Sequence, residues 1–169
     1  MRIPVFVSSP THLSSAQEAS RETIMRVLES LGLEPRALGR REYPSDYPLR
    51  EVAVIARHCS GGMILGFEQF RSLDGIKNPG TSREQPVREA ISFPTPWNQL
   101  EAGILFGLRL PLVIFREPGI AGGVFDNGVT DVFLQGMPSG KPSRLQMEEL
   151  REVLLRWHGR VQEHYYRLD

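Results

Sequence analysis

One cysteine, Cys59, is all the sequence contains, which excludes an internal disulfide and fits a reducing, cytoplasmic setting. No apolar run approaches the roughly 20 residues that a membrane-crossing helix needs. The opening stretch MRIPVFVSSP has too short an apolar core for a secretory leader and reads as a buried strand. Net charge is missing as well: basic and acidic residues stand at 20 each. That removes the basic footprint of a nucleic-acid binder and the acidic tail of a solubilising segment. Arg40-Arg41 and the series Arg151, Arg156 and Arg160 read as solvated faces.

Familiar chemical signatures are also missing. GMPSGKPS is one residue short of a phosphate-binding P-loop and carries proline where the helix should begin. No G-x-G-x-x-G follows the first strand, and there is no G-x-S-x-G elbow. His58 and Cys59 are adjacent and point apart on a helix, and His12, His158 and His164 do not complete a zinc set. Neither a metal nor an organic cofactor is expected.

What is present is an alternation of strands and helices. Ile3 to Val7 is a short branched run closed by Ser8-Ser9-Pro10. Ser15-Ala-Gln-Glu18 reads as a capping box, followed by Ile24, Val27, Leu28 and Leu31 at helical spacing, with Gly32 as the stop. Leu33 to Leu38, broken by Pro35, suits an edge strand. Asp46 is placed to cap a second helix with Pro48 in its first turn. GMILGF (Gly62 to Phe67) and LPLVIF (Leu110 to Phe115) are inner strands, with a fifth at Asp131 to Leu134. Met147, Leu150, Leu154, Trp157, Val161 and Leu168 mark one long helix from Ser143 to about Arg167.

Nearly all-apolar inner strands alternating with helices imply a parallel sheet covered on both faces. The expectation is a single α/β domain over residues 1–169: a three-layer, doubly wound, flavodoxin-like five-stranded sheet ordered 2-1-3-4-5, with a long C-terminal helix. Ligands in such folds bind beyond the carboxyl ends of the strands, at the switch point. This directs attention to Ser8, Ser9, Phe67, the start of the third helix and Arg116. The segment 68–94, with Gly75, Pro79, Gly80 and Pro86, shows little periodicity. It reads either as a mobile lid over the site or as an insertion with no role.

The constellation that carries chemistry is Thr95-Pro96-Trp97-Asn98-Gln99-Leu100-Glu101. Threonine suits an N-cap and proline the first helical position. Trp97 and Asn98 lie four and three residues before Glu101, so the spacing predicts one shared face. Glu101 is the only charged residue between Phe93 and Leu108. It stands beyond the first turn, where the helix dipole fades, among apolar neighbours that would bury it. Two readings of Trp97 stay open: core packing, or a stacking wall for a flat base. Gly103 and Gly107 would let the helix approach the sheet closely.

A carboxylate in a pocket suits chemistry at an anomeric carbon, where breaking a glycosidic bond builds positive charge on the sugar. The helix start and the Ser8 and Ser9 hydroxyls are candidates to hold a phosphate. For Ser9 a plain strand end leading to a capped helix is the stronger reading. Arg116 either meets a phosphate or forms a surface salt bridge, and Asp126-Asn-Gly reads as a turn.

VFVSSP, GMILGF and PWNQLEAGILFGLRLPLVIF resemble the nucleoside 2-deoxyribosyltransferase-like and TIR-like superfamily. Its catalytic glutamate lies near a helix start in an E-x-G pattern with a proline before the next strand; Glu101, Gly103 and Pro111 occupy those places. The resemblance implies cleavage or transfer at the N-glycosidic bond of a nucleoside, nucleotide or NAD, and many bacterial TIR-like members use NAD in antiviral defence. The aspartate that transferases carry before the glutamate is missing from Phe93 to Asn98, which argues against deoxyribosyl transfer. The sequence expectation is therefore an N-glycosidase with Glu101 catalytic, NAD the leading substrate, and Ser8, Ser9, Phe67, Thr95, Trp97, Asn98 and Arg116 around the substrate. No nucleic acid or membrane partner is expected; a homo-oligomer is. Rival readings are a nucleotide sensor, or an interaction domain that assembles through the Leu150/Leu154/Trp157 face.

Overall fold

Inner strands that are apolar at every position must bury both faces, and the chain solves this with helices on each side. The structure is a computed structural model and describes residues 2–37, 47–130 and 133–167. Its elements run β1 (Ile3–Ser8), α1 (Ser15–Ser30), β2 (Leu33–Arg36), α2 (Pro48–Arg57) and β3 (Gly62–Gly66), then β4 (Phe70–Ser72), β5 (Gly75–Lys77), β6 (Gln85–Val87) and β7 (Ile91–Phe93). There follow α3 (Pro96–Gly107), β8 (Leu112–Arg116), a 3-10 turn (Gly123–Phe125), β9 (Phe133–Gly136) and α4 (Arg144–Tyr166). The five-stranded sheet has the order β2-β1-β3-β8-β9, parallel throughout. This is the expected flavodoxin-like, doubly wound topology, ending in the expected long helix.

Strand parity sorts the core into two layers. Val5, Val7, Met63, Leu65, Val113 and Phe115 pack with α1 and with Leu150, Leu154, Trp157 and Val161 of α4. Phe6, Ile64, Leu112 and Ile114 pack with Val52, Ile55 and Ala56 of α2 and Ala102 and Leu105 of α3. The indole Nε1 of Trp157 donates to the Pro111 carbonyl at 3.0 Å. The apolar face of α4 is therefore spent on the sheet: Leu154 and Trp157 are fully buried. That face is core against the sheet, its expected role, and not the assembly seam of the rival reading.

Local expectations shift in two places, at the α1 cap and at the glycines of α3. The α1 capping box is made by Ser14 and Gln17 rather than Ser15 and Glu18: Ser14 Oγ accepts from the Gln17 amide at 3.2 Å and Gln17 Oε1 accepts from the Ser14 amide at 3.0 Å. A glutamine at N3 serves as well as a glutamate, and its spare N–H has long-range work to do. Asp46 lies outside the described residues, as do the first two positions of the expected fifth strand and Leu168; the residue before α2 is Tyr47, which makes no side-chain cap. Gly103 and Gly107 face solvent with nothing within 4 Å of an added Cβ, so they do not bring α3 onto the sheet. Close approach occurs instead at Gly62, where a Cβ would meet Leu105 at 2.8 Å.

The largest difference is the segment 68–94. It forms a two-tier hairpin rather than an irregular loop: β4 pairs with β7 and β5 with β6, both antiparallel. Strands of three residues are too short to show a period. Its root is fastened to the body. Glu117 Oε2 accepts from the Glu68 amide at 2.6 Å and from Gln17 Nε2 at 3.0 Å. Gln17 Nε2 also donates to the Glu68 carbonyl at 3.2 Å. Across the two stems Ser92 Oγ donates to the Glu68 carboxylate, and Ser92 bridges to Ile120.

Two outcomes are expected. At Gly66 a Cβ would strike the ring of Phe125, so Gly66→Ala lowers stability by about 1–3 kcal/mol in urea unfolding. Glu117→Ala strips the Glu68 amide of its acceptor, and hydrogen-exchange NMR should show that amide exchanging on the order of 10-fold faster.

Candidate active site

Thr95 caps α3, its hydroxyl accepting from the Trp97 amide at 3.4 Å, and Pro96 fills the first helical position as the sequence implied. From that start the helix turns Asn98, Glu101, Ala102 and Leu105 inward, at spacings of three and four. Trp97 does not join them and is 40 % exposed. The expected shared face is thus split: Asn98 and Glu101 enter the fold, and Trp97 stays at the rim, which removes core packing as its role.

The inward pair meets the end of β1. Ser8 shares the parity of Phe6 and so points to the α3 layer. Asn98 Nδ2 donates to Ser8 Oγ at 2.7 Å, and the Ser8 hydroxyl favours the ionised form of Glu101. Ser8 is 2 % exposed, Asn98 0 % and Glu101 8 %. Burial pushes the Glu101 carboxyl up to about 7, and the Ser8 hydroxyl works in the opposite direction. Neither cause involves a cation. Asn98 Oδ1 is buried without a hydrogen-bond partner.

Other expected residues lie elsewhere. Ser9, on the opposite parity, lines a 590 Å³ hollow with Arg21, Arg26 and Pro35 on the α1 side, and its hydroxyl reaches only the Pro10 carbonyl, at 3.4 Å. Phe67 is fully buried in the layer of α1 and α4. Arg116 forms no surface ion pair among the described residues: its Nη1 donates to the carbonyls of Ile120, at 3.4 Å, and Phe125, while the residue lines a hollow with Glu117, Asn127 and Gly136. It braces the strap that follows β8. Asp126 accepts from the Gly122 amide at 2.7 Å, the turn chemistry its sequence signalled.

Gln99 was not singled out by sequence, yet it couples α3 to that strap. Its Nε2 donates to the Gly122 carbonyl and its Oε1 accepts from the Val124 amide, both at 3.1 Å. No sequence signal could have found it, because both partners lie more than 20 residues away.

A buried, protonatable acid beneath a helix start, flanked by an amide and a hydroxyl, can hold or release a proton near neutral pH or face a developing cation. A similar fold occurs in a known enzyme. Over 90 % of this chain and 98 % of the other, the structure is similar to the CMP N-glycosidase BcmB of Clostridium botulinum, with a TM-score of 0.52 and 12 % identity. At that identity the likeness is one of fold. A diflavin flavoprotein of Nostoc sp. aligns over 99 % of this chain and 97 % of its own with a TM-score of 0.49 and 11 % identity. The Flv1 flavodiiron core of Synechocystis sp. aligns over 96 % and 36 %, with a TM-score of 0.48 and 12 % identity. No family model and no curated protein matches the sequence. Among the described residues no helix is long and apolar enough to cross a membrane.

The raised Glu101 value has a consequence for stability. Its folded value of about 7 lies above the ordinary 4.5, so the stability it lends is complete below pH 4.5 and is lost as pH rises through 7. Glu101→Gln escapes that loss. Relative to wild type, the variant should gain roughly 2–4 kcal/mol between those limits and plateau above them, measured by denaturant unfolding across pH.

Proposed function

We propose that the protein is an N-glycosidase acting on the base–ribose bond of a nucleotide, with Glu101 as its catalytic carboxylate. The observation that carries this reading is the burial of Glu101 at the carboxyl edge of the sheet with a hydroxyl, not a cation, as its partner. An acid locked to an arginine would be structural; one left without a counter-charge is available to a positive charge that appears during a reaction. The fold likeness to a CMP N-glycosidase supports the same class.

In the reaction the bond between the base nitrogen and the anomeric carbon breaks, and its electron pair leaves with the base. The ribose becomes oxocarbenium-like, and the Glu101 carboxylate faces that charge or bonds to the anomeric carbon. Water supplies the hydroxyl that ends on the sugar; its proton ends on the base when cytosine leaves CMP, and in solution when nicotinamide leaves NAD already neutral. Trp97, exposed at the rim, offers its ring to a flat base. The start of α3, capped by Thr95, offers partial positive charge to a phosphate. Of the residues expected to bind phosphate, Ser8 is held by Asn98, and Arg116 spends its Nη1 on two carbonyls. The 68–94 hairpin runs from the end of β3 to the start of α3, the position a wall or lid over the substrate would take.

NAD and CMP are the two substrates to compare. Purified protein incubated with each, with free nicotinamide or cytosine followed by chromatography, should release base from at least one. The rate per substrate should rise with pH through about 7 as Glu101 ionises, and Glu101→Gln should lower it on the order of 100-fold or more. Full turnover by that variant, or no base from either nucleotide, would overturn the proposal.

A further inference from the structure

Three of the four α-helices meet water with charge. Glu18 and Arg21 pair on α1, Arg50 and Arg57 are exposed on α2, and α4 sets out Arg144–Glu148, Glu152–Arg156 and Glu163–Arg167 one turn apart. The exception is α3. Of its 12 residues only Glu101 is charged, and it is buried. A helix that is apolar all round is ordinarily enclosed on every side. The outer face of α3 is open instead: Leu100 is 49 % and Phe106 54 % exposed.

That open face has a pattern. Pro96, Leu100, Gly103 and Gly107 are all exposed and recur at spacings of four, three and four, the seam along which one helix packs on another. Ile104 and Phe106 flank it. The first half of the seam protrudes and the second half is hollow, since nothing stands within 4 Å of a Cβ added at Gly103 or Gly107. Glycine weakens a helix relative to alanine, and no contact inside the molecule uses the space that these two leave. Turned end for end, the seam is its own complement. Leu100 of one copy then sits over Gly103 of the other, and Pro96 over Gly107, with each contact made twice. This is the isologous geometry of a twofold dimer. Without charge on the seam, it meets its own image free of repulsion.

The area is sufficient. With Leu100 and Phe106 about half in water, the outer face of α3 presents on the order of 400 Å² of apolar surface. A standard interface takes about 800 Å² from each partner, about 65 % of it apolar in homodimers. The face therefore supplies most of an apolar centre, and the arginines of the adjacent α2 stand at its rim. We propose that the outer face of α3 is a docking surface for a second copy of this chain, forming an antiparallel dimer in which Leu100 packs on Gly103 of the partner subunit. The surface is distinct from the inner face of α4, which is spent on the sheet. It does not depend on the N-glycosidase reading, because Glu101 lies on the opposite, buried side of α3.

Sedimentation equilibrium of the full chain tests this. At about 100 µM, above the dissociation constant of a micromolar dimer, the mass should be twice the 19.1 kDa of one chain. Leu100→Glu brings a charge to both crossings and should raise the dissociation constant on the order of 100-fold or more. Gly103→Leu fills the hollow and should act in the same direction. The exchange variant Leu100→Gly/Gly103→Leu trades knob for hollow and should restore the dimer. Circular dichroism melts establish that each variant is folded, and Leu100→Gln replaces the glutamate variant should that one unfold. A wild-type monomer at this concentration would overturn the proposal, as would a dimer indifferent to both single variants or an exchange variant that stays monomeric. Monomeric protein that cosediments with phosphatidylcholine vesicles would assign the face to a lipid surface and overturn it as well.

Discussion

The structure depends on the alternation of side chains along strands that are buried on both faces. One residue of register decides which layer a side chain joins, and it decides the candidate site too. Ser8 follows Phe6 into the layer of α2 and α3 and there meets Asn98 and Glu101. Ser9 takes the other face and lines a hollow against α1. Phe67 follows Leu65 and Met63 into the core of α1 and α4. Three residues clustered at the switch point by sequence are thus parted by parity, and a single one of them reaches the acid.

An acid in such a place is costly. Withdrawing a carboxylate from water penalises its charged form, and a cation nearby is the ordinary remedy. Here the remedy is partial: a serine hydroxyl, itself held by a buried amide. The result is a group poised between two charge states near neutral pH, a condition that structural carboxylates seldom need and proton-handling ones do. The similarity to a CMP N-glycosidase is one of fold; the residues themselves carry the argument for this chain.

Much of this was legible before any coordinates. The strand order, the long final helix, the Thr95-Pro96 start of α3 and the burial of Glu101 follow from periodicity, capping preference and a lone charge among apolar neighbours. What escaped has a common physical cause, since it is settled by partners far along the chain. The hairpin at 68–94 has strands too short for a period and is held by Glu117 from beyond β8. Arg116 is claimed by carbonyls of a strap whose course no local rule predicts. Trp97 fits the inward face by spacing, yet it is exposed while Asn98, in the same first turn, is buried. Gly103 and Gly107 suggested close packing on the sheet, but they lie on the exposed face of α3.

The fastening of the hairpin at its root separates two jobs. Its stems are locked to each other and to the strap after β8, whereas its far tier pairs only with itself. Chain can be added or removed around the turn at Asn78 and Gly80 without disturbing the register of β3 or the placement of α3. The molecule therefore has a tier whose length can change while the sheet and the buried acid on α3 keep their places.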